Sequence, residues 1–254
     1  MTMFAPEIIA AAQAHARDEF PKESCGLIVG DEYVRCFNYA VDPLNDFKIA
    51  PEIFVRASEK GEVRAVVHSH PNGPLHPTRT DMQSQIDTAL PWIIIPLDDE
   101  RVGPPIIWGD QVPMAPLIGR QFMHGVADCY TLVRDCFRLG RDGMAAQDMP
   151  DWPYPPIELP EFPRDDDWWN LGQNLYEDAL APLGFKPISV DQVRPGDGFL
   201  MKVRSDKLNH AGVVVGNDLI LHHLPTRLSR REPAGLWARG ADLWVRYEGP
   251  GRDA

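Results

Sequence analysis

Two histidines stand one residue apart at the end of an apolar, β-branched run, in Val63-Arg64-Ala65-Val66-Val67-His68-Ser69-His70-Pro71. Side chains at i and i+2 of a strand share a face, so His68 and His70 can both reach one ion. Asp81 follows eleven residues after His70, at the start of a predicted helix that opens on Thr78. Two imidazoles and a carboxylate make a three-ligand set that leaves the fourth tetrahedral position to water, which is how catalytic zinc differs from structural zinc. Such a metal acidifies its water and polarises a carbonyl, and the chemistry then needs a carboxylate to shuttle protons. Glu23, just before the apolar run Cys25–Val29, is the candidate. A plainer reading stands beside this one. Thr78-x-x-Asp81 is also a capping box, with Asp favoured near a helix N-terminus on electrostatic grounds alone.

A second constellation lies in the other half of the chain. Asp128-Cys129 precedes the helical run Thr131–Leu139. A cysteine at a helix N-terminus feels the positive end of the dipole, which lowers its pKa and favours thiolate. The nucleophile still needs a histidine brought close by the fold. His210 opens an apolar run about eighty residues later, and His222 on the next predicted strand could orient the first ring as a third triad member does. A two-residue turn at Asn217-Asp218 would pair Val213 with His222 and put His223, not His222, on the face of His210. A bulge or a longer turn would restore His222, so both histidines stay open. The plain alternative for Cys129 is a buried thiol, the reading given to Cys136 two turns along the same helix. His76 and His124 read as surface or linker residues.

The elements that must position these groups alternate along the chain. Helix is expected at Pro6–Phe20, Pro51–Lys60 and Thr78–Leu90, and strand at Cys25–Val29, Tyr33–Phe37, Val63–His68 and Trp92–Leu97. Mixed helices and strands point to a layered α/β or α+β domain ending near Asp110. Helix returns at Asp128–Leu139 and Trp168–Leu180, and strands are expected at Gly196–Val203, His210–Gly216 and Leu219–Leu224. The stretch from Asp148 to Pro163 is too rich in proline for a regular helix or a central strand.

The 254 residues carry 25 Lys+Arg against 37 Asp+Glu, a net charge of −12. That balance repels phosphate and excludes a nucleic-acid binder working by bulk charge. Hydrophobic content of 44% and charged content of 24% are globular values. No stretch approaches the roughly 20 apolar residues of a membrane helix. The N-terminal residues lack a basic segment and a cleavage site, so synthesis and folding are expected in a cytoplasm, with four free thiols.

The string His68-Ser69-His70-Pro71, a seven-residue gap after the second histidine, then Thr78-x-x-Asp81, with Glu23-Ser24-Cys25-Gly26 upstream, resembles the JAMM (MPN-plus) metallopeptidases. The resemblance implies an MPN-type α/β fold over residues 1–112, one Zn2+ on His68, His70 and Asp81, Glu23 as proton shuttle, and hydrolysis of an amide or isopeptide. Thr78 stands where that family usually has serine, whose hydroxyl helps hold the developing oxyanion. Thr keeps the hydroxyl with a restricted rotamer, at a cost in rate rather than in metal binding.

Asp128-Cys129 at a helix start, Pro195-Gly196-Asp197 before a strand, His210-Ala211-Gly212-Val213-Val214-Val215-Gly216, and a polar residue twelve after the histidine resemble the NlpC-type papain-like cysteine peptidases. This implies a papain-like α+β domain over residues 125–254, with a Pro/Trp-rich insert at about 141–166 and a linker at 113–124. It also implies Cys129 as nucleophile, His210 as base, His222 as orienter, and amide bonds of peptidoglycan stem peptides, typically beside γ-D-glutamyl linkages, as substrate. The two modules in this order resemble the tail assembly proteins of lambda-like tailed phages. That resemblance implies a place in the virion tail tip, neighbouring tail-tip proteins as partners, the bacterial wall as target, and neither nucleic acid nor a membrane span. A structural tail-tip component with inactive or capped sites is the alternative, and the proline- and tryptophan-rich insert would be its docking surface.

Overall fold

The computed structural model of the chain describes residues 3–249 and divides into two compact units, Met1–Pro113 and Met114–Ala254. The outermost residues of both expected domains, 1–2 and 250–254, lie outside the described residues.

The first unit runs α1 (Pro6–Glu19), β1 (Cys25–Val29), β2 (Glu32–Cys36), α2 (Pro51–Lys60), β3 (Val63–Pro71), α3 (Arg79–Thr88), β4 (Pro91–Leu97) and β5 (Ile106–Gly109). The strands form one sheet in the order β2-β1-β3-β4-β5, with β3 and β4 parallel and the other pairs antiparallel. One face is apolar: Ala65 and Val67 of β3 pack with Ile28, Ile93 and Ile95 beneath Ile8, Ala12 and Ala16 of α1. By alternation, His68 and His70 belong to the other face. There the ring of Phe47 stacks on His68 at 4.4 Å between centroids, and Trp92 and Trp108 meet it edge-on. A parallel pair needs a crossover connection, and this one carries α3 from the end of β3 to the start of β4. The first turn of α3 therefore returns to the carboxyl end of the strand that carries both histidines. That strand extends to Pro71 rather than stopping at His68, and β5 is an element that its four residues did not announce.

The second unit runs α4 (Cys129–Ala145), α5 (Leu175–Leu180), β6 (Phe185–Ile188), β7 (Gly198–Met201), β8 (His210–Gly216), β9 (Leu219–His222), β10 (Arg230–Pro233), α6 (Ala234–Ala238) and β11 (Leu243–Tyr247). Its sheet is antiparallel, in the order β10-β9-β8-β7-β11-β6. Leu132, Cys136 and Phe137 of α4 pack with Ala211, Val213 and Val215 of β8 in one core. The helix breaks at Gly140, whose φ is 60°, and a Cβ there would stand 2.3 Å from the backbone nitrogen of Pro156. The Pro/Trp-rich insert thus runs in backbone contact with the helix.

Several expectations are corrected in this unit. The insert does not offer its tryptophan as a docking surface: Met149 and Trp152 are 1% exposed and belong to the main core. The expected linker includes Leu117, which is fully buried in that same core. The helix expected over 168–180 forms only at Leu175–Leu180, preceded by turns around the buried Trp168. Strands β6, β10 and β11 add to those the sequence predicts. All four cysteines are free.

Candidate active sites

At the end of β3, His68 Nε2 and His70 Nε2 lie 3.0 Å apart, and the Asp81 carboxylate reaches them at 3.2 Å and 3.4 Å respectively. The three groups are buried and form a cluster able to hold a metal ion. Ligand atoms held about 2.0–2.1 Å from a tetrahedral zinc are about 3.3 Å from one another, so these separations fit a zinc-sized cation. The tautomer fits as well. His70 Nδ1 lies 2.8 Å from the carbonyl of Pro74, to which it donates, leaving Nε2 with its lone pair turned to the cluster. Burial pushes His68 below the ordinary imidazole value, whereas His70 is raised because the Asp81 and Pro74 hydrogen bonds outweigh its burial. Burial alone would raise Asp81, but the two histidines and Thr78 hold it well below the usual carboxylate range.

Thr78 is the N-cap of α3 in a full capping box, and its hydroxyl donates to Asp81 Oδ2 at 2.7 Å. The cap reading of Asp81 holds, and it leaves the same carboxylate facing the histidines, where a metal ligand would have to stand. The Thr78 proton expected for an oxyanion is committed to Asp81 in this structure. Glu23 is buried in the turn before β1, tied through its backbone to Pro43 and Asn38. Burial lifts its carboxyl to about 7, with His70 opposing and Asp81 adding to the rise. A carboxyl poised near neutrality suits a proton shuttle. His76 is half-buried, with Nδ1 3.1 Å from the carbonyl of Pro77.

In the second unit, Asp128 caps α4. Its Oδ1 accepts from Thr131 N at 2.9 Å, and its Oδ2 accepts from Gly125 N at 2.9 Å and from Arg164 at 2.6 Å. Arg164 is 3% exposed and comes from the far end of the insert. His124, expected as a surface or linker residue, is buried beside this pair, with Nε2 3.1 Å from the carbonyl of Arg164. Its Arg164 partner lies forty residues on, where no local pattern announces it. Cys129, the first residue of α4, is half-buried, and its Sγ lies 3.3 Å from the hydroxyl of Tyr176 on α5. Burial and the neighbouring Asp128 charge push the thiol up, outweighing the Tyr176 hydroxyl and the Ala211 backbone beside the sulfur. The thiol is thus raised where the helix dipole alone would lower it, first because it is buried and then because the capping Asp128 carries a negative charge. No hydrogen bond joins Cys129 to an imidazole among the described residues. Its link to the histidine strand is Ala211, the residue after His210.

His210 and His222 meet. His210 Nε2 is 3.3 Å from His222 Nδ1, and both rings are buried. The register explains it: Gly212 faces His222 across β8 and β9, with a bulge between Val214 and Gly216. His223 is fully buried elsewhere, against the ring of Phe122 at 5.2 Å. His210 is lowered to about 3 by burial and by the two neighbouring histidines. Beyond His222, its Nε2 lies 3.3 Å from Glu232 Oε2 on β10, which also accepts from Trp237 Nε1 at 2.8 Å. Sequence reading found neither Glu232 nor Trp237, because both reach the site only through the pairing of β9 with β10.

Comparison with known proteins matches both halves. The family model of prokaryotic homologs of the JAB domain covers residues 6–103, and that of the NlpC/P60 family covers residues 108–239. The tail tip assembly protein K of Escherichia phage lambda is 36% identical over 201 residues, 78% of this chain and 85% of that protein. Its counterpart from Escherichia phage N15 is 33% identical over 249 residues, 94% of each. Among solved structures, a Desulfitobacterium hafniense protein determined in solution aligns at 24% identity over 41% of this chain and 79% of its own, with a TM-score of 0.34.

Proposed function

The chain belongs to the family of tail tip assembly protein K, with a JAB-like N-terminal domain and an NlpC/P60 C-terminal domain, and from that premise we propose a phage tail-tip hydrolase that opens bacterial peptidoglycan. Its partners are the other proteins of the tail tip. Cys129 is the nucleophile, His210 the base and His222 its orienter. The reading is carried by the His210–His222 contact, because a buried imidazole held by a second imidazole is the arrangement a thiol needs to give up its proton.

In this reading Sγ attacks the carbonyl carbon of a stem-peptide amide as its proton passes to His210. The base then gives that proton to the leaving amine, and a thioester remains on Cys129. Water, surrendering its own proton to His210, displaces the sulfur, which takes the proton back. The first unit is read as a JAMM-type metallopeptidase. Zinc held there by His68, His70 and Asp81 would supply a polarised carbonyl and an acidified water. Thr78 holds Asp81 in place, and Glu23, buried and near neutrality, carries protons at its carboxyl.

One observation favours a second reading, a tail-tip component whose thiol site is capped at rest: among the described residues Cys129 bonds to Tyr176 and not to a histidine. Digestion of purified muropeptides separates the two. Release of soluble peptides by the wild type and not by Cys129→Ala supports the hydrolase, and an inert wild type supports the capped component.

A further inference from the structure

The carboxylate at the far side of the histidine pair belongs to no part of the chemistry described so far. Glu232 sits on β10, where Arg230 pairs with His222 and Glu232 with Ile220. Its Oε2 is placed between two ring nitrogens, His222 Nε2 at 3.3 Å and Trp237 Nε1 at 2.8 Å, and its Oε1 pairs with Arg230. The indole of Trp237 meets His222 edge-on with ring centroids 4.1 Å apart, so the carboxylate touches both rings of one contact pair.

The proton count along this chain is determinate. Burial would raise Glu232, but the Trp237 hydrogen bond, His222 and Arg230 outweigh it and keep the group ionised. An ionised carboxylate only accepts, and Trp Nε1 only donates, so His222 must donate from Nε2. Burial holds His222 below its ordinary value, which keeps it neutral with a single N–H. Its Nδ1 is then an acceptor, and His210 Nε2, 3.3 Å away, must carry the proton between them. His210 is neutral too, so its lone pair is left on Nδ1 alone.

We infer that Glu232 is a positioning residue which, through His222, fixes the tautomer that leaves Nδ1 of His210 as the one nitrogen able to take the proton of Cys129. The inference rests on the thiol chemistry proposed above for its purpose, but the tautomer it assigns is a property of the resting protein. It extends the row to four groups, of which the last acts at two removes from the sulfur.

The test is 15N NMR of the full chain labelled in histidine, with His210 and His222 assigned by their alanine variants, in wild type, Glu232→Ala and Glu232→Gln. The wild type should show Nε2–H at both rings. Glu232→Ala should populate Nδ1–H at His222, and Glu232→Gln, which keeps an acceptor oxygen, should lie between. Wall cleavage by Glu232→Ala should fall about tenfold in kcat with KM unchanged, as for other groups that orient a ligand or base from behind. Thermal melts of both variants check that they fold. A His222 tautomer unmoved in Glu232→Ala, or already Nδ1–H in the wild type, overturns the inference. A tautomer that moves as expected in a protein whose wild type cleaves no wall keeps the role of Glu232 and sinks the proposed activity instead.

Discussion

His210 and His222 touch because β8 carries one residue more than β9 between Val214 and Gly216. Without that residue the hairpin would set Val213 opposite His222 and turn the second imidazole to the wrong face of the sheet, since a slip of one exchanges every side chain between faces. The bulge is therefore the device that assembles the pair.

Gly212 is the test of that register. It lies opposite His222, and a Cβ on it would stand 2.6 Å from the ring of Phe199 and 2.8 Å from the Cβ of His222. Gly212→Ala should cost about 1–3 kcal/mol, as overpacking of a tight interior does. Because relieving the clash shifts Phe199, His222 or the β8 backbone that carries His210, wall cleavage should be lost as well. Urea unfolding with an unchanged midpoint would mean that the two strands do not meet this way.

The pH dependence of the thiol has a definite sign. Burial and Asp128 raise the Cys129 thiol, and His210 is down at about 3, so at neutral pH the resting groups are a thiol and a neutral imidazole. A raised thiol keeps its proton to higher pH, and the nucleophilic thiolate grows only as the pH climbs. Alkylation of Cys129 by iodoacetamide should therefore rise continuously between about pH 7 and 10. A rate that is already level from pH 5 to 8 would indicate a preformed thiolate–imidazolium pair and contradict the neutral resting state.

Trp152 separates a core role for the insert from a docking role. It is 1% exposed and packs edge-on to Phe137 at 5.2 Å. Trp152→Ala should destabilise the second unit by about 3–5 kcal/mol, read as a loss in its thermal transition. Unchanged melting would return the insert to the surface.

The His68–His70–Asp81 cluster makes a compositional prediction. Purified wild-type chain supplied with zinc should carry one ion per chain by elemental analysis, and His68→Ala and Asp81→Asn should lose it with the second unit still folded. Equal zinc in wild type and in both variants would place the metal elsewhere.

Both sites were legible where their geometry is local. His68 and His70 follow from strand alternation, and Asp81 from the cap that Thr78 writes into the sequence. What was not legible depends on distant pairing. His124 is buried by Arg164, and no periodicity links them. The choice of His222 over His223 turned on one bulged residue. Strands β6, β10 and β11 are four or five residues each and exist through their sheet partners. The tryptophan-rich stretch read as helix from Trp168 because its composition allows one, but Trp168 is buried in turns instead. The raised thiol was not legible because its burial depends on distant elements, and the Asp128 that marks the helix start adds its charge.

The most direct measurement is mass spectrometry of the fragments released from purified sacculi by the wild type, Cys129→Ala and His68→Ala. The expected result is stem peptides cut at one amide by the wild type and by His68→Ala, and no cut by Cys129→Ala. No fragments from the wild type, or the same fragments from Cys129→Ala, would contradict a wall hydrolase built on Cys129.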